Sequence, residues 1–116
     1  ACREVGATSK VIFETCLLTD EEKLRLCDVA SEVLPDFVKT STGFSTGGAT
    51  VEDVRLMRGR VDARVGVKAA GRIRSAQTFL SMVGAGATRV GATRSVTVIE
   101  ELRALMEEAG TDYLEV

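Results

Sequence analysis

Histidine and tryptophan are absent from this chain of 116 residues, proline occurs once, and aromatic residues make up 4%. Without histidine, neither a Ser-His nor a Cys-His catalytic couple can be assembled within it. The three cysteines, Cys2, Cys16 and Cys27, form no CxxC pair, which argues against both a metal site and a disulfide framework. An odd number of thiols without ligand spacing is the pattern of a reducing cytosol, so a cytoplasmic location is expected. Charge of one sign is lacking too: the formal net charge is −2 and the basic residues are scattered. That balance points to neither a nucleic-acid nor an acidic membrane partner. No apolar run approaches the roughly 18 residues of a membrane span, and none reads as a signal peptide.

Hydrophobic residues nevertheless make up 45% of the chain. With so few aromatics, the core must be Val, Ile, Leu and Ala, as buried parallel strands and their covering helices require. The length suits a single domain, 1–116, and falls short of the ~200–250 residues of a complete (β/α)8 barrel. The chain opens on Ala1 as though inside a helix, the expectation for a fragment or a processed chain.

Short β-branched runs alternate with amphipathic ones. Strands are predicted at 10–14, 37–39, 65–68 and 89–91, each followed by a polar or Gly-rich stretch and then a helical period. Thr19 before Asp20, Glu21 and Glu22 reads as a capping box, with Leu24, Leu26, Cys27, Val29, Ala30 and Val33 facing inward. Thr50 is predicted to cap the next helix, with Val51, Val54, Leu56 and Met57 inward. Ser75 begins the third, with Phe79, Leu80, Met82 and Val83 inward, and Ser95 or Thr97 the last, with Val98, Ile99, Leu102, Leu105 and Met106. Gly110 is a C-cap, leaving 111–116, including Tyr113, as a tail. Gly6-Ala7-Thr8 recurs as Gly86-Ala87-Thr88, and Lys10, Lys39 and Lys68 recur every 29 residues. One βα unit has about this period, and right-handed crossovers then give a parallel sheet. The fold class expected is α/β: four parallel βα units, half of a TIM (β/α)8 barrel.

Two of the four lysines end apolar strands, Lys39 before a Gly-rich loop and Lys68 before Ala69-Ala70-Gly71-Arg72. Ligands of parallel α/β proteins gather at the carboxyl ends of strands. A lysine there loses solvation, a second ammonium lowers its pKa further, and the neutral amine attacks carbonyls to form a Schiff base. The alternative for each is a surface lysine with a buried stem. Gly43, Gly47, Gly48, Gly71 and Gly91 let the backbone approach an anion, with Arg72, Arg74 and Arg94 beside it; equally, the glycines could serve turns and the arginines face water. Glu14 and Thr15 end the first strand as possible site or rim residues, and Cys16 reads as a small packing residue.

The stretch Phe37-Val-Lys-Thr-Ser-Thr-Gly-Phe-Ser-Thr-Gly-Gly-Ala-Thr50 resembles the signature around the Schiff-base lysine of the deoxyribose-phosphate aldolase family. Residues 11–19, 66–74 and 84–91 are similar to its neighbouring strands in the same order, so the resemblance runs from about Ala1 to Ile99. It implies strands five to eight of an aldolase barrel. It also implies a class I aldolase that cleaves 2-deoxy-D-ribose 5-phosphate to glyceraldehyde 3-phosphate and acetaldehyde, without metal or other cofactor. Lys39 would form the imine, and the charge of Lys68 would lower its pKa. Thr40, Gly43, Gly71, Arg72, Arg74, Gly91, Thr93 and Arg94 would fall at or beside the substrate and phosphate positions. Arg72 stands where the family has a second glycine, and Thr93-Arg94 where it tends to have serine. The family's catalytic aspartate belongs to the first half of the barrel and has no matching position here. A half-barrel leaves two open sheet edges, so the expected partners are an N-terminal half-barrel or a second copy, besides the phosphorylated sugar. The competing readings are a carboxylate-based isomerase or synthase, and a non-catalytic or designed half-barrel scaffold that keeps the phosphate loops.

Overall fold

The computed structural model describes residues 1–116. After a 3-10 turn at Cys2–Val5 come β1 (Lys10–Ile12), a second 3-10 turn (Thr15–Leu17), α1 (Asp20–Val33), β2 (Phe37–Lys39) and α2 (Val51–Arg60). β3 (Gly66–Ala70), α3 (Ala76–Gly84), β4 (Arg89–Gly91) and α4 (Ser95–Ala109) complete the chain. The strands form one parallel sheet in the order β1-β2-β3-β4. This is the half-barrel read from the alternation of runs, with two shifts. β1 stops before Phe13 and Glu14, and β3 starts one residue later than expected and runs on to Ala70.

Alternation along the strands sorts the side chains onto two faces. Val38, Val67 and Ala69 are fully buried towards the helices, against Cys27 and Ala30 of α1, Val54 and Met57 of α2, and Met82 of α3. The opposite face carries the cross-strand row Ile12, Lys39, Lys68, Arg89, and below it the row Lys10, Phe37, Gly66. A side chain at Gly66 would strike the Phe37 ring at 2.5 Å, so glycine there lets the ring lie flat across the strand. The Arg89 guanidinium covers the same ring, 4.2 Å from its centroid, a cation–π contact within the usual range.

Three helix starts follow the expected chemistry. Thr19 and Glu22 form a reciprocal capping box, and the side chains of Thr50 and Ser75 accept from the N–H groups of Asp53 and Thr78. Neither Ser95 nor Thr97 caps α4, which begins at Arg94 without a side-chain acceptor and ends at left-handed Gly110. The inward face of α1 differs from expectation: Leu24, Val29 and Val33 are exposed while Lys23 is buried. Helix α1 lies at the edge of the sheet with α2 as its main helical neighbour, so only the parts of its apolar surface that face the sheet and α2 are covered. Ile99 and Leu105 of α4 are exposed for the same reason, with Val98 buried. No helix is long and apolar enough to cross a membrane.

A lysine cleft at the carboxyl end of the sheet

A cleft of about 520 Å³ opens at the carboxyl ends of β2, β3 and β4. Lys39, Lys68, Arg72 and Arg74 line it, together with Thr42, Gly43, Ser45, Gly71, Gly91 and Thr93, and its lining contains no carboxylate. Eight of the sequence-derived site residues therefore meet in one place. Thr40 and Arg94 do not. Thr40 is fully buried, and its hydroxyl donates to the Ala70 carbonyl at 3.2 Å; one residue beyond Lys39, it points to the opposite face. Arg94 is exposed at the start of α4.

Parallel register puts Lys39 directly opposite Lys68. Lys68 loses its proton more readily than an ordinary lysine, because burial penalises the ammonium and the charges of Lys10, Lys39 and Arg89 add to that. The sequence reading passed over Lys10 as a site residue, although its 29-residue spacing from Lys39 was the available signal. The Lys68 stem crosses Gly91: a side chain there would meet Lys68 Cε at 3.2 Å and Nζ at 3.7 Å.

Glycine turns bring the loops together. A side chain at Gly48 would lie 2.6 Å from the Gly71 carbonyl oxygen and 2.9 Å from Arg72 Cγ. The Ala49 N–H donates to the carbonyls of both Ala70 and Gly71 at 3.1 Å. Arg72 adopts a left-handed backbone (φ 63°), and its guanidinium donates to the Thr46 carbonyl at 2.5 Å. Two of the first three N–H groups of α3 are already engaged within the chain. Thr78 donates to Ser75, and Ala76 donates to the Glu101 carboxylate at 2.6 Å. Cys16 is exposed rather than packed, and contacts the Ser45 and Thr46 hydroxyls, which lower its pKa in that order. Tyr113 is exposed and outside the lining.

A parallel sheet with crossover helices on one face and an amine-lined cleft at its carboxyl end defines half of an aldolase-type (β/α)8 barrel. Within that class, the chain is a homologue of the deoxyribose-phosphate aldolases, corresponding to the C-terminal part of their sequences. It is 59% identical over 95 residues to the deoxyribose-phosphate aldolase of Clostridium tetani, covering 82% of this chain and 44% of that one. Over all 116 residues it is 48% identical to that of Lactobacillus acidophilus, covering 49% of its length. Among solved structures it is similar to "QR15, an Aldolase" (TM-score 0.82, 42% identity, 90% of this chain and 49% of that one). It is also similar to the tetrameric deoxyribose phosphate aldolase of Aeropyrum pernix (TM-score 0.80, 36% identity, 89% and 44%). The chain thus spans about half the length of the relatives it matches. No family model matches it.

Proposed function

We propose that this chain carries the imine-forming part of a class I aldolase acting on 2-deoxy-D-ribose 5-phosphate. The observation that carries this reading is the side-by-side register of Lys39 and Lys68 at the mouth of a cationic cleft. The Lys39 amine attacks the aldehyde carbon, and loss of water gives the iminium. The iminium accepts the electron pair released when the C2–C3 bond breaks, as a base removes the proton of the C3 hydroxyl. Glyceraldehyde 3-phosphate departs; protonation and hydrolysis of the enamine free acetaldehyde and regenerate the amine. Lys68, already inclined to the neutral form, is the neighbouring group for proton exchange. Arg72, Arg74 and the Gly43 and Gly71 turns hold the phosphate, with Thr93 at the rim, and no metal or other cofactor takes part.

The cleft lining offers no carboxylate for the proton transfers. A complementary N-terminal half-barrel would supply one, whereas a second copy would close the barrel with the same carboxylate-free lining; the chain alone or paired with itself forms imines but turns over poorly. A cytoplasmic location belongs to the same reading. Intact mass spectrometry after incubation with acetaldehyde and borohydride tests it. A reduced two-carbon adduct that maps to Lys39 and is lost in Lys39→Ala supports the reading. Phosphate binding without any adduct would support a non-catalytic scaffold instead.

A further inference from the structure

Glu14 is one of three non-glycine residues with a left-handed backbone (φ 55°), and Arg72 is another. Strain of this kind persists only where the surroundings enforce it. Both residues hold the same segment, 42–46, at its two ends. The Glu14 carboxylate accepts from the Thr42 N–H at 3.2 Å and from the Thr42 hydroxyl at 2.5 Å. That hydroxyl in turn accepts from the Phe44 N–H at 3.2 Å, so the carboxylate organises the turn through Gly43 (φ 92°). At the other end Arg72 holds the Thr46 carbonyl. Gly43 meanwhile packs against Gly71, where an added side chain would reach Gly43 Cα at 3.5 Å.

We propose that Glu14, which does not itself line the cleft, is a positioning residue for anion binding: through Thr42 it holds the Gly43 turn against Gly71. The bonds to Thr42 are charge-assisted and converge on one carboxylate, the geometry that fixes a loop most firmly. Pulling Thr42 away would separate the two glycine turns whose backbone approaches the anion. The inference rests on the phosphate-binding part of the proposed function and not on the imine chemistry.

The test is titration of the 15N-labelled chain with inorganic phosphate, for wild type, Glu14→Ala and Glu14→Gln, together with amide hydrogen exchange and melting curves. Acetaldehyde trapping is run on the wild type only. Glu14→Ala should weaken phosphate binding about tenfold, the scale of one lost charge-assisted interaction. It should also speed exchange at Thr42 and Phe44 while the melting temperature stays in place. Glu14→Gln keeps an acceptor for Thr42 and should recover most of the affinity. Unchanged affinity in Glu14→Ala overturns the proposal. So does a loss in both variants that follows a lowered melting temperature, or a wild type that binds no phosphate. A wild type that binds phosphate but traps no acetaldehyde would sink the aldolase reading while leaving the role of Glu14 standing.

Discussion

Lys23 of α1 and Asp53 of α2 form an ion pair at 2.7 Å, each side chain only 11% exposed. Asp20 adds a second contact to the same ammonium at 2.9 Å. Burial alone pulls the Lys23 pKa down, but the hydrogen bonds and charges of Asp53 and Asp20 together outweigh it and leave the value raised. The pair's contribution is therefore fully present below the ordinary lysine value and is lost as pH rises through the higher folded one. Removing the cation strands a buried carboxylate, so Lys23→Met should cost about 3–5 kcal/mol in urea unfolding. The double variant Lys23→Met/Asp53→Leu should recover much of that loss.

Two glycines should respond in opposite directions. Gly48→Ala drives a methyl group into the Gly71 backbone and should destabilise by about 1–3 kcal/mol or more. Gly59 lies near the end of α2 with nothing within 4 Å of an added side chain. Gly59→Ala should therefore stabilise by about 0.5–1 kcal/mol through backbone entropy. Equal effects in thermal melts would contradict the packing around Gly48.

Lys68 should titrate below free lysine in 13C NMR at its ε carbon. Lys10→Met removes one of the charges responsible and should move that titration upward, though not to the ordinary value, because burial remains the largest cause. Between the folded and unfolded pKa of Lys68 the unfolded chain binds more protons, so this group makes stability rise with pH across that window. No movement in Lys10→Met would mean that Lys10 does not face Lys68.

The thiols should separate by reactivity. Burial, then the charge of Asp28, pushes the Cys27 pKa up to about 11, whereas Cys16 is exposed and its pKa lowered by the Ser45 and Thr46 hydroxyls. Iodoacetamide at neutral pH should label Cys16 well before Cys27, which peptide mapping would read directly.

Much of the fold was legible because the first three βα units repeat the same punctuation: an apolar run, a glycine or polar loop, and a Thr or Ser cap at 19, 50 and 75. The lysine pair was legible because equivalent cations end apolar strands in consecutive units, 29 residues apart, whereas a single such lysine would read as a snorkelling surface group. Period alone misassigned Leu24, Val29 and Val33, since a helical stripe shows which residues share a face but not whether a neighbour covers it. Lys23 was invisible because its burial depends on Asp53, thirty residues away and on another helix. Thr40 was assigned to the site by resemblance, yet it follows Lys39 and neighbours on a strand face opposite ways, which leaves it buried. Nothing in the local sequence around Glu14 signals its left-handed turn, and the partner of its carboxylate, Thr42, arrives from the next unit.

The row Ile12, Lys39, Lys68, Arg89, with Lys10 below it, makes the open face of the sheet basic, with no acidic side chain on its strands. Closing a barrel from two copies would bring all of these cations, doubled, into one enclosed lumen where water screens them poorly. A different half that presents carboxylates towards the same lumen would instead gain from the encounter. The open face thus carries cations with no counter-charge on its own strands, so a surface that closes over it must bring carboxylates or leave those cations facing one another.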